Sequence, residues 1–114
     1  MIGGGYTVTD EEANILEKKE IKKKNFTNNE AELRGIYAAI ELADHYSTIS
    51  SDSKVCINWV RKGAAGSRID LNFLAKRAQQ ELKTKNVLLI WEPREMNLAG
   101  KYNEKFEGWM NKYK

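Results

Sequence analysis

The sequence is poor in the residues that interrupt or cross-link a chain. Its 114 residues include one proline, Pro93, and one cysteine, Cys56. A lone cysteine excludes an internal disulfide, and its place in the apolar run VCINWV predicts a buried small side chain, not a reactive thiol. No apolar run approaches the roughly 20 residues that span a bilayer, and the N-terminus lacks a basic n-region and an apolar h-region. We therefore expect a cytosolic protein with no membrane association.

Charge is abundant and unevenly placed. The charged fraction is 31%, the apolar fraction is 41% and the net charge is +3, which is typical of a soluble globular protein of one domain spanning residues 1–114. Five lysines crowd one short window: Lys18, Lys19, Lys22, Lys23 and Lys24. Such a cluster suits a polyanion such as nucleic acid, yet a solvated lysine-rich surface explains it equally well.

The segment from Phe26 to Ser53 is the most informative part of the sequence. Thr27 and Glu30 form a capping-box pattern, which predicts a helix that begins near Asn28. Apolar residues then recur at helical spacing and predict one buried stripe: Leu33, Ile36, Tyr37, Ile40 and Ala43. Glu32 borders that stripe, so its carboxylate either lies at the rim of a cleft or only favours the helix N-terminus.

The other segments predict a mixed α/β fold. The glycines at positions 3–5 favour a loop or the mobile approach to a strand. Tyr6 to Thr9 and Ile15 to Lys24 predict a hairpin, and Tyr46 to Ser51 predicts a short strand with Asp52 at its carboxyl end. Four further segments complete the prediction: helices at Lys54 to Lys62 and after a capping Asp70, a strand covered on both faces at Val87 to Trp91, and a last helix from Asn97 or Leu98 through Tyr113.

Two motifs in this order resemble the ribonuclease H family, in particular its type 1 branch and the reverse-transcriptase-like relatives. TNNEAEL, from Thr27 to Leu33, resembles the family's helix start, whose glutamate binds a metal ion; here that residue is Glu32. SDSKVCINWV, from Ser51 to Val60, resembles the family's strand-end segment, whose aspartate is also a ligand; here it is Asp52. The resemblance covers nearly the whole chain from Gly3 and implies a ribonuclease H-like mixed sheet with flanking helices.

The resemblance also implies a chemistry. It predicts hydrolysis of the RNA strand of an RNA–DNA hybrid by two Mg²⁺ or Mn²⁺ ions held by acidic side chains. Asn28 and Asn29 resemble residues that contact the hybrid across its minor groove, and Lys54 stands where relatives often carry an amide side chain.

The chain departs from the family at both ends. It has no aspartate-bearing first strand, which in the family is central, so we expect an N-terminal truncation whose gap is filled by a second copy of the chain or by rearranged pairing. Glycine or lysine stands where the family's last helix carries its fourth ligand, and Glu104, one turn further on, is a weak candidate for that role.

Two hypotheses about function therefore stay open. The first is a metal-dependent endoribonuclease, or an incomplete form of one, with Glu32, Asp52 and Glu104 as candidate metal ligands. The second is a catalytically inactive module of the same fold that binds nucleic acid or a protein partner.

Overall fold

The computed structural model describes residues 3–10, 12–23 and 26–93, together with the backbone of residues 108–113. Eight helices and strands follow one another in these residues, with a 3-10 turn at Ile69–Leu71 before the third helix. They are β1 (Gly3–Thr9), β2 (Ile15–Lys22), α1 (Asn28–Leu42), β3 (Thr48–Ser51), α2 (Lys54–Lys62), α3 (Asn72–Lys85), β4 (Leu88–Trp91) and β5 (Gly108–Tyr113). The mixed α/β class predicted from the sequence is confirmed.

Helix α1 begins where the sequence predicts. Thr27 is its N-cap, and the threonine hydroxyl accepts a hydrogen bond from the Glu30 backbone amide at 3.2 Å. The predicted stripe faces the core, because most of its side chains are buried and Tyr37 packs at the edge. The Glu30 side chain departs from the capping-box pattern, since its carboxylate bonds to cationic side chains instead.

The five strands form one sheet in the order β2-β1-β5-β3-β4. Strand β5 lies at the centre, parallel to β1 and antiparallel to β3, and Asn111 pairs with both Thr9 and Ser50. The sequence predicted a gap at this position in the sheet, filled by rearranged pairing or by a second copy of the chain. Strand β5, from the C-terminal segment of the same chain, occupies that gap.

This strand corrects the prediction for the C-terminus. Residues 108–113 were predicted to end a helix, yet they extend as a strand, because a central place in the sheet satisfies their backbone amides and carbonyls on both sides. Glu104 and the predicted start of that helix lie outside the described residues.

Three further predictions were wrong in detail. The glycines at positions 3–5 belong to β1, where they pair with Lys22, Ile21 and Glu20, because pairing with β2 offsets the low strand propensity of glycine. Strand β4 is an edge strand and is not covered on both faces, since Leu88 is 58% exposed. Asp70 lies in the 3-10 turn instead of capping α3, and its carboxylate binds Arg68.

The core lies between the helices and one face of the sheet. Alternate residues of the strands point into it, as Tyr6 and Val8 do from β1 and Ile49 does from β3. Helix α2 matches its predicted limits and ends at Gly63, whose φ of 72° is the left-handed conformation that glycine adopts without strain. No helix in the described ranges is long and apolar enough to cross a membrane.

Candidate acidic site at the end of β3

The candidate site is built by two elements that approach each other at the carboxyl end of β3. Glu32 projects from the second turn of α1 and is half-buried, and Asp52 follows directly after β3 and is also half-buried. Ser53 then starts α2, because its hydroxyl accepts a hydrogen bond from the Cys56 backbone amide at 3.2 Å. The turn from β3 into α2 therefore fixes Asp52 next to the first turn of that helix.

Cys56 connects α2 to α1 at this site. Its side chain is fully buried, as predicted, and its thiol lies 3.3 Å from the backbone oxygen of Asn29 and 3.9 Å from Oε2 of Glu32. The pKa of the Cys56 thiol is raised from its ordinary value of 9.0 to about 12. Burial is the main cause, the negative charges of Glu32 and Asp52 add to the rise, and a hydrogen bond from Ser53 opposes it. Both carboxylates therefore act on one point, the Cys56 sulfur.

This arrangement supplies the oxygen donors that a hard divalent cation needs. Mg²⁺ is usually held in proteins by one or two carboxylates, with water and substrate phosphates as its other ligands. Glu32 and Asp52 are two carboxylates of the kind that hold such an ion. Within residues 3–10, 12–23 and 26–93 no group of three or more histidine, cysteine, aspartate or glutamate side chains is placed to hold a metal.

The predicted nucleic-acid contacts lie at two helix N-termini beside this pair. Asn28 and Asn29 begin α1, Lys54 begins α2, and all three side chains are exposed. The Cys56 thiol contacts the Asn29 backbone, which brings the first turn of α1 against the first turn of α2. The sequence-predicted residues of the described part therefore lie on adjoining elements, around the end of β3.

Sequence reasoning missed a second acidic centre on the same helix. The Glu30 side chain is fully buried and its carboxylate is bound by three cations: Lys23 at 2.7 Å, Arg34 at 3.0 Å and Arg68 at 3.4 Å. Burial alone would raise the pKa of Glu30, but the hydrogen bonds from Lys23 and Arg34 outweigh it and lower that pKa. Arg34 stands four residues after Glu30, a spacing readable from sequence, whereas Lys23 and Arg68 reach it only through the fold.

Arg68 connects the Glu30 centre to the loop that precedes α3. Its guanidinium donates to Thr27 Oγ1 at 2.9 Å and to both carboxylate oxygens of Asp70 at 3.0 and 2.9 Å. This bidentate pair lowers the pKa of Asp70 and raises that of Arg68. The positive charges of Lys23 and Arg68 are thus balanced by carboxylates of the protein itself, although basic residues in the sequence favoured nucleic acid as a partner.

The acidic pair does not lie in the cavity of about 430 Å³ between the hairpin and α1. Tyr6, Lys19, Arg34 and Tyr37 are among the side chains that line this cavity, and its acidic side chains are Glu17 and Glu41. Tyr6 donates a short hydrogen bond to Glu17, and burial together with this bond raises the Tyr6 pKa well above its usual value. The two features are therefore separate parts of the molecule.

Fold and site together define a mixed α/β protein with an acidic pair at the end of a sheet strand. Comparison of the chain with protein-family models, with curated proteins and with solved structures gives no match.

Proposed function

We propose that the chain is a ribonuclease H-like, metal-dependent endoribonuclease that cleaves the RNA strand of RNA–DNA hybrids. The observation that supports this most is the convergence of Glu32 and Asp52 on Cys56, from the two motifs that resemble the family. The mixed α/β fold, with an acidic residue at the carboxyl end of β3, is compatible with it. The proposal includes a cytosolic location.

In this proposal each group has a defined task. Glu32 and Asp52 hold Mg²⁺ or Mn²⁺, which supplies charge stabilisation of the phosphate and activation of the attacking water. Buried Cys56 stays protonated at neutral pH and excludes water from beneath the two carboxylates. Asn28, Asn29 and Lys54 contact the hybrid, where the RNA 2′-hydroxyls distinguish it from DNA. Glu104 remains a candidate ligand by resemblance alone.

Cleavage of a labelled RNA–DNA hybrid in Mg²⁺ or Mn²⁺ tests the proposal. We expect Asp52→Asn and Glu32→Gln each to reduce the rate at least roughly 100-fold, which corresponds to about 2.7 kcal/mol of barrier. Glu41→Gln is the matched control, because Glu41 is an exposed glutamate on the same helix, and it should cleave as the wild type does. A DNA duplex of the same sequence should stay intact.

Two results would contradict the enzyme proposal. One is the absence of hybrid cleavage by the wild-type chain in either metal. The other is cleavage that Asp52→Asn and Glu32→Gln leave unchanged, which would place the activity elsewhere or in a contaminant.

A catalytically inactive module that binds nucleic acid or a protein partner is the second candidate. One observation favours it: β5 occupies the centre of the sheet, the place that the family's aspartate-bearing first strand holds. Hybrid binding without cleavage in Mg²⁺ and Mn²⁺, with equal affinity in the wild type and Asp52→Asn, would support this candidate over the enzyme.

A further inference from the structure

Trp91 is an exposed aromatic side chain that the fold holds in place. It is the last residue of β4, pairs with Ser51 at the end of β3, and remains 45% exposed. Its indole Nε1 donates a hydrogen bond to the backbone oxygen of Asp52 at 3.1 Å. The ring is therefore fixed beside the acidic pair, and a ligand that stacks on it would not have to immobilise it first.

Two cationic side chains of α2 lie near Trp91 or along β4: Lys54 and Arg61. Lys54 Nζ lies 4.3 Å from the centroid of the Trp91 ring, a cation–π contact. Arg61 lies about two turns further along α2, roughly 10 Å at 1.5 Å per residue, and its Nη2 donates to the backbone oxygen of Leu89 in β4 at 2.9 Å. Helix α2 runs KVCINWVRK and contains no acidic residue. We call Lys54, Arg61 and Trp91 the Trp91 surface.

A fixed aromatic ring with one cation over its face and a second cation further along α2 matches the chemistry of a single-stranded nucleic acid. Base stacking on an aromatic face tolerates any sequence, and neighbouring lysine or arginine side chains neutralise the phosphates. The face of a base is accessible to a side chain only where the base is not stacked in a duplex. Lys54 covers the ring in the free protein, so an arriving base would take its place and release its ammonium group for a phosphate.

We propose that the Trp91 surface binds an unpaired nucleic-acid strand, with a base stacked on Trp91 and phosphates contacted by Lys54 and Arg61. This inference rests on the proposed function, since it takes nucleic acid as the partner. It extends that function by adding a single-stranded segment next to the acidic pair, such as the overhang of a hybrid.

The test is the binding of a fluorescein-labelled 12-nucleotide oligothymidylate to the intact chain, followed by anisotropy at low salt without divalent metal. We expect Trp91→Leu to weaken binding about tenfold or more, because it keeps apolar volume but removes the π-face, whereas Trp91→Phe should stay within about threefold. Lys54→Gln and Arg61→Gln should each weaken binding and make the salt dependence shallower by about one unit. Lys76→Gln, which alters an exposed lysine on α3, is the matched control and should bind as the wild type does.

The outcomes of this test separate the inference from the proposed function. Wild-type affinity in Trp91→Leu, or no oligothymidylate binding by the wild type, would overturn the inference whatever the hybrid assay gives. Loss of affinity in Lys76→Gln equal to that in Lys54→Gln would also overturn it, because the attraction would then be general charge. Oligothymidylate binding that depends on Trp91, in a chain that cleaves no hybrid, would support the inference and contradict only the nuclease proposal.

Discussion

Glu30 and Glu32 stand two residues apart on α1, and their surroundings differ. Glu30 is fully buried and bound by Lys23, Arg34 and Arg68. Glu32 is half-buried, near a protonated thiol whose pKa it raises together with Asp52. A buried carboxylate whose charge is balanced by the protein connects parts of the structure, whereas two carboxylates acting on one point suit an external cation. We therefore assign Glu30 to stability, whereas Glu32 is the residue on which the proposed function rests.

Replacement of Glu30 should have the largest effect on the free energy of unfolding. Glu30→Gln removes the negative charge that three cations share and leaves their hydrogen bonds weaker, so we expect unfolding to require about 2–3 kcal/mol less. Urea unfolding followed by circular dichroism measures this loss. Glu32→Gln should change the free energy of unfolding by much less. An equal loss of stability in the two variants would contradict the different roles given to Glu30 and Glu32.

Glu30 also gives the molecule a defined acid sensitivity. Because the folded state lowers its pKa below the ordinary value of 4.5, the stabilisation is present above that value and is lost as pH falls through the folded pKa. The free energy of unfolding of Glu30→Gln should therefore fall less steeply than that of the wild type below pH 4.5. Parallel acid profiles in the two proteins would show that the Glu30 charge does not carry this stability.

Stability should also fall at alkaline pH, because of Cys56, the thiol that lies near Glu32. The pKa of Cys56 rises from 9.0 to about 12 on folding, so the unfolded thiol ionises first and stability falls as pH rises above 9.0. Between pH 9 and 10 the free energy of unfolding should fall by up to about 1.4 kcal/mol. Chemical unfolding at several pH values measures this slope, and Cys56→Ala should be nearly flat over the same interval. Tyr6 adds to the loss above its ordinary pKa of 10.0.

The smallest effect tests whether Glu32 acts on the thiol. Glu32→Gln removes one charge that raises the pKa of Cys56, so the pKa of Cys56 in the folded protein should fall by the equivalent of roughly 0.3–0.5 kcal/mol, as for partly exposed charges. Nuclear magnetic resonance of the Cys56 Cβ, followed through a pH titration, measures this pKa. Glu20→Gln, at an exposed position on β2, is the control and should leave it unchanged. No difference between Glu32→Gln and Glu20→Gln would mean that the Glu32 charge does not act at Cys56.

Local signals in the sequence predicted the parts of the fold that depend on neighbours along the chain. The cap at Thr27 and the limits of α2 followed from residues a few positions apart. Strand β5 was predicted as helix because an apolar pattern at helical spacing does not reveal that a central place in the sheet is open to it. Tertiary context, not propensity, decided that segment.

The residues of the candidate site were likewise predicted only where a local signal in the sequence marks them. Glu32, Asp52 and Lys54 were identified because they fall in short motifs, and the burial of Cys56 followed from its apolar neighbours. Trp91 was expected in a buried strand, so neither its exposure nor its bond to Asp52 was foreseen. Arg68 meets Glu30 from 38 residues away and Lys23 meets it from the connection between β2 and α1, and no pattern within a single segment predicts such a meeting.

Binding of Mn²⁺ in the absence of nucleic acid, followed by electron paramagnetic resonance, tests the central claim most directly. We expect the wild-type chain and Glu30→Gln to bind Mn²⁺ with similar affinity, and Glu32→Gln and Asp52→Asn each to bind it at least roughly tenfold more weakly, which is about 1.4 kcal/mol. Wild-type affinity in both Glu32→Gln and Asp52→Asn would contradict the account, as would a loss of binding confined to Glu30→Gln.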